Sequence, residues 1–167
     1  MTQPSKGPAI VVGPEEGQSY WQPQPSTGYA TVKLSPFTMP FNNFSAGIQV
    51  LEPGASVRDH AHQRNDELLF VYEGTGRATI DGVTHDLAPG SMMLLGRFVR
   101  HEVVNTGATP MKMMWIIFPP GLECWFEAIG KPRQPGEPRP APFQRPAHVG
   151  DLQEKLWFVR DGTPRSE

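Results

Sequence analysis

A chain of 167 residues with 38% apolar and 19% charged side chains suits one folded domain with tails and is too apolar to stay disordered. Fifteen basic and 17 acidic side chains give a formal net charge of −2 with no basic stripe, which excludes a nucleic-acid partner on electrostatic grounds. The 19 Pro and 17 Gly are scattered without a period, so collagen is excluded and short strands with many turns are expected.

Residues 1–28 carry five prolines and little periodicity, and the expectation is an irregular N-terminal arm, with the barrel-forming region at 30–120. Short β-like runs then follow at regular spacing: Ala30–Leu34, Ala46–Leu51, Ala55–His62, Glu67–Glu73, Gly76–Asp81, Val83–Leu87, Ser91–Leu95, His101–Asn105 and Met111–Phe118. Turn residues separate them, and Asp81-Gly82 is the strongest hairpin signal because both residues tolerate positive φ. Such a series argues for a closed barrel or a sandwich.

After Pro119-Pro120-Gly121 the period changes. Leu122, Trp125, Phe126 and Ile129 recur at helical spacing, so Gly121 to Ile129 reads as a short helix that caps one end of the barrel. Residues 131–148 hold six prolines and read as extended, without regular structure. Asp151 is placed to cap a last helical turn through Trp157, and the apolar cluster Leu156-Trp157-Phe158-Val159 is expected to dock back onto the body.

One cysteine, Cys124, forms no intrachain disulfide and fits a reducing compartment. The first ten residues hold no apolar leader segment, and the longest apolar run, Met113–Phe118, is too short to cross a bilayer. The expectation is a cytoplasmic protein with no membrane contact.

The chemistry concentrates on four residues. His60 and His62 lie two apart, so a strand presents both imidazoles on one face. Glu67 opens the next run, within reach of that face across an interstrand spacing of ~4.8 Å, and a closed barrel brings His101 opposite. Three neutral imidazoles and a carboxylate suit Fe, Mn, Co, Ni, Cu or Zn rather than the all-oxygen shells of Ca and Mg. The expected cofactor is one divalent transition metal, with Fe or Mn favoured, on His60, His62, Glu67 and His101. An octahedral ion with four protein ligands keeps two positions open for a bidentate substrate, or for one substrate oxygen and dioxygen. Glu67 is expected to act as a ligand, or to leave the ion and take a substrate proton as general base.

At these residues the chain resembles the cupin superfamily. Gly54, His60-Ala61-His62, Glu67 and Gly74 match its first motif at every spacing, and His101 with Asn105 matches the end of the second. The usual Pro-x-Gly before that histidine is replaced by Gly96-Arg97-Phe98. The resemblance implies an all-β, double-stranded β-helix (jelly-roll) barrel with a short C-terminal capping helix and Pro-rich arms, a metal inside the mouth, and a homodimer. The stretch Pro119 to Gly130 is similar to the region after the barrel in quercetinase-like relatives. It implies a dioxygenase acting on a small hydroxylated aromatic or enolisable carbonyl compound. A cupin isomerase, lyase or cyclase using the metal as a Lewis acid, and a non-enzymatic binding cupin, are the alternatives.

Met39, Phe41, Phe44, Met92, Met93, Met111, Met113, Met114 and Trp115 are candidates for lining a pocket, with core filling expected for most of them. Arg58, Arg64, Arg97 and Arg100 flank the motifs and are expected as solvated strand-end charges, with binding of an anionic substrate as the alternative. His85 and His148 are expected at the surface, and Cys124 carries no sign of a nucleophile.

Overall fold

A computed structural model of the chain describes residues 6–156 and 158. Eleven strands and two short helices follow in chain order: β1 (Gln18–Trp21), β2 (Gly28–Leu34), β3 (Ser45–Leu51), β4 (Ser56–His60), β5 (Asp66–Glu73), β6 (Gly76–Ile80), β7 (Val83–Leu87), β8 (Met92–Leu95), β9 (His101–Val104), β10 (Met111–Phe118), α1 (Leu122–Ile129), β11 (Lys131–Pro132) and α2 (Val149–Lys155). They form a seven-stranded sheet, β11-β1-β2-β3-β10-β5-β8, and a four-stranded sheet, β4-β9-β6-β7. All pairings are antiparallel. This is the double-stranded β-helix expected from the sequence.

Alternation decides which side chains enter the core. On β10, Met111, Met113, Trp115 and Ile117 are fully buried, while the residues between them are only half-buried. On β5, Glu67 shares the inward face with Leu69 and Val71, and on β9 His101 shares it with Val103. The core pattern therefore carries two polar groups into the barrel. Trp115 fits because Gly47 lies opposite it on β3: a Cβ at Gly47 would stand 2.5 Å from the indole Cζ2 and 2.1 Å from the Thr31 carbonyl. The β6–β7 hairpin turns on Asp81 and Gly82, with φ of 47° and 84°, as its sequence predicts.

Three expectations change. The N-terminal arm is not wholly irregular, since Gln18–Trp21 pairs with β2 on one side and β11 on the other. β11 itself lies in the Pro-rich stretch read as lacking regular structure. Asp151 is not a cap; α2 starts after His148, and Asp151 sits in its first turn. Of the apolar C-terminal cluster, Phe158 does dock and is buried, whereas Trp157 and Val159 lie outside the described residues. Among the described residues no helix is long and apolar enough to cross a membrane.

Candidate metal centre

β4 brings His60 to the barrel mouth, the following loop brings His62, β5 supplies Glu67, and β9 supplies His101 paired directly across from His60. One ligand atom from each of the four lies within 4.8 Å of the others. His101 Nε2 is 3.1 Å from Glu67 Oε2, and His62 Nε2 is 3.3 Å from the same oxygen. Donors around one ion at ~2.0–2.2 Å take separations of this order.

The outer nitrogens fix the tautomers. His60 Nδ1 donates to the Arg58 carbonyl at 2.8 Å, and His101 Nδ1 donates to the Val99 carbonyl at 3.0 Å. Each ring therefore turns Nε2 inward, where loss of its proton, at His101 the one shared with Glu67, frees a lone pair for an ion. His62 Nε2 is buried 3.3 Å from Glu67 Oε2 and has no other hydrogen-bond partner. A buried, unpartnered ring nitrogen among two oriented imidazoles and a carboxylate is the donor set a divalent transition metal fits.

The electrostatics agree. Burial, reinforced by the neighbouring His101 and His62, pushes His60 well below the usual imidazole range, which favours the neutral form. Burial alone would raise Glu67, but its contacts with His101 and His62 hold it far below the usual carboxylate range. Burial would likewise lower His101, and the hydrogen bond to Glu67 outweighs it and raises that imidazole.

His60, Glu67 and His101 form part of the wall of a cavity of about 310 Å³. Leu69, Val103 and Met113 line it from the barrel; Leu122, Trp125, Phe126 and Ile129 close it from α1; Phe158 and Gln153 close it from the C-terminal segment. Gln22, Ser26 and Gln49 add polar groups, and Arg58 and Arg145 add positive charge. Helix α1 is set in place by Glu123, which accepts from Ser35 Oγ at 2.9 Å and from the Gly121 amide at 2.8 Å.

Of the nine Met and aromatic candidates for pocket lining, Met113 alone lines this cavity; Met111 and Trp115 fill the core, and Met92 faces solvent. Among the flanking arginines Arg58 reaches the cavity, while Arg100 is bound to Asp59. His85 and His148 are exposed, as expected. Burial beside Glu123 and Glu127 pushes the Cys124 thiol up, away from a reactive thiolate. Asn105 is structural: its amide donates to the Leu51 and Thr109 carbonyls at 2.8 and 2.9 Å, and its oxygen accepts from the Gly107 amide at 2.9 Å. Sequence reasoning missed Arg145, Gln22 and Gln49 at the cavity. Arg145 sits in a segment with no periodic signal, whereas the apolar cluster around Phe158 did signal docking.

Comparison with known proteins places this architecture. Residues 47–117 match the cupin domain family. The chain is 26% identical over 86 residues to the polyketide synthase CurC of Streptomyces cyaneus, covering 52% of this chain and 56% of that protein. It is 35% identical over 80 residues to an L-ectoine synthase of Hyphomonas neptunium, covering 46% of this chain and 58% of the relative. The chain thus spans little more than half the length of these curated relatives. A crystal structure described as a predicted oxalate decarboxylase from Thermotoga maritima shares the fold with a TM-score of 0.56 at 22% identity, over 65% of this chain and 98% of that one. The barrel, its motif residues and the family match together identify residues 47–117 as a cupin domain.

Proposed function

We propose that this protein is a metal-dependent dioxygenase acting on a small hydroxylated aromatic or enolisable carbonyl compound bound in the barrel mouth. The observation that carries the reading is the cavity of about 310 Å³, which joins the four-residue donor cluster to an apolar enclosure. That volume lies at the small end of ligand sites. His60, His62, Glu67 and His101 would hold one divalent ion of the Fe, Mn, Co, Ni or Zn group, Fe or Mn first. The ion would supply Lewis-acid polarisation and, if redox-active, coupling to dioxygen.

The rest is the work of the chain itself. Trp125, Phe126, Ile129 and Met113 bind the ring or carbon skeleton and exclude water. Gln22, Gln49 and Ser26 offer hydrogen bonds that orient its oxygen atoms. Glu67, held ionised by its two histidine neighbours, is a good ligand and a weak base; proton transfer from a substrate hydroxyl to its Oε2 requires it first to let go of His101. The polyketide synthase named among the relatives supports this substrate class, because polyketide chains are rich in enolisable carbonyls.

A second reading keeps the ion and omits oxygen: an isomerase, lyase or cyclase that stabilises an enolate. The similarity to an L-ectoine synthase favours it. An oxygen-electrode assay with catechol, flavonol and β-diketone substrates separates the two. Substrate-dependent uptake supports the dioxygenase, and substrate conversion without uptake assigns the second reading.

The proposal includes a homodimer in a reducing, cytoplasmic setting. Met92 and Leu94, 62% and 69% exposed on edge strand β8, continue an outer apolar face through Phe70, Leu68, Met114 and Ile116. A patch of this kind on an edge strand is normally covered.

A further inference from the structure

We propose that Arg145 and Arg58 form an anion subsite in the cavity, so that the substrate carries a carboxylate or similar anionic group away from its metal-facing oxygens. This rests on the reading of the cavity as a substrate site. Both arginines line the cavity whose wall includes His60, Glu67 and His101. Arg145 is fixed there although it lies in a Pro-rich stretch without helix or strand: Phe143 accepts from the Gln24 amide at 2.9 Å, and Gln144 Nε2 donates to Gln24 Oε1 at 2.7 Å. Its guanidinium stands 5.4 Å from the Trp125 ring.

Arg145 is half-buried, and Arg58 at the cavity's rim is exposed. Arg145 Nε is buried without a hydrogen-bond partner, and among the described residues neither arginine makes an ion pair with a carboxylate. The carboxylates on the cavity wall are already engaged: Asp59 accepts two bonds from Arg100, and Glu67 is held by His101 and His62. Burial, and after it the charge of Arg58, pushes Arg145 down to about 10. A guanidinium presents a planar fork of donors that matches a carboxylate, and an anion bound between the two side chains removes their repulsion and satisfies the orphan Nε.

The test uses protein loaded with Zn(II), which binds catecholates without redox turnover. Isothermal titration calorimetry compares neutral catechol with 3,4-dihydroxybenzoate and 3,4-dihydroxyphenylacetate, and includes benzoate as an anion without a chelating pair. At least one dihydroxy acid is expected to bind about tenfold or more tightly than catechol. In Arg145→Gln, and more so in Arg58→Gln/Arg145→Gln, that preference falls to about twofold or less. Arg58→Gln leaves the backbone carbonyl that orients His60 in place. Equal affinity of the wild type for neutral and anionic probes, a preference that survives the double substitution, or no binding of any probe overturns the subsite. Benzoate binding that is lost in Arg145→Gln, with no catechol binding, supports the subsite while contradicting the chelated-substrate reading.

Discussion

Phe158 pairs with His62 as an antiparallel β-bridge, and its ring lies 5.0 Å from the His62 imidazole and 4.7 Å from Trp125. A residue far along the chain thus covers the candidate metal centre. Helix α2, just before it, has no fully buried residue; Val149, Leu152 and Leu156 pack partly against the core, and Phe158 is the segment's one buried anchor among the described residues. Phe158→Ala is expected to release residues 149–156 and open the mouth while the barrel stays folded. Limited proteolysis should cut that segment first, and a chelator should strip metal at least about tenfold faster. Unchanged stripping and proteolysis rates would mean that Phe158 covers nothing of consequence.

The Glu67–His101 pair sets a pH dependence in the metal-free protein. His101 lies above its ordinary value of 6.5, so its share of the stability is complete below pH 6.5 and is lost as pH rises through its folded value. Glu67 lies below its ordinary 4.5, so its share is present above pH 4.5 and is lost as pH falls through its folded value. The stability difference between wild type and Glu67→Gln should peak between pH 4.5 and 6.5, at roughly 1–3 kcal/mol, and shrink towards alkaline pH. Urea unfolding across pH measures it, and a difference that grows with alkalinity would contradict the pairing.

Phe98 holds a φ of 65° in the loop before His101. It closes the Gly96-Arg97-Phe98 stretch that departs from the Pro-x-Gly of the resembled motif, and a non-glycine residue at such a φ costs ~1–3 kcal/mol. Phe98→Gly relieves that strain and adds chain entropy to the unfolded state worth ~0.4–1 kcal/mol, for a net gain of about 1 kcal/mol. Thermal denaturation should show a higher Tm. A lower Tm would mean that the half-exposed Phe98 ring contributes more packing than the backbone loses.

On the outer sheet face, Leu94→Glu places a charge on the exposed edge of the apolar strip, beside Leu68 and Met92. If that face joins two copies, light scattering after size exclusion should report a dimer for the wild type and a monomer for the variant, with metal content unaltered. A wild-type monomer would remove the homodimer from the proposal.

The strands and the four-residue cluster were legible because their signal is local. His60 and His62 share a face by period two, Glu67 opens a run of alternating Leu69 and Val71, and the Asp81-Gly82 turn has its own chemistry. What stayed hidden depends on contacts distant in sequence. β1 is a strand only because β2 and β11 flank it, and Gln18–Trp21 shows too little alternation to announce that. Arg145 reaches the cavity because Phe143 and Gln144 bond to Gln24, a pairing across 120 residues that no spacing encodes. Which of the nine candidates lines the cavity and which fills the core was not legible, for a related reason. Trp115 and Met111 share an inward face with Met113, and only packing against Gly47 and the rest of the core tells filler from lining.

The central claim is that His60, His62, Glu67 and His101 act together on one ion. Elemental analysis of protein purified without chelator or metal-affinity resin, wild type beside His101→Ala, tests it most directly. Removing the His101 ring empties one buried position and spares the apolar core, so circular dichroism should report a folded barrel for both. The account predicts close to one Fe, Mn, Co, Ni or Zn per wild-type chain and a loss of most of it in His101→Ala. Metal content equal in the two proteins, or none in the wild type even after reconstitution, would contradict it.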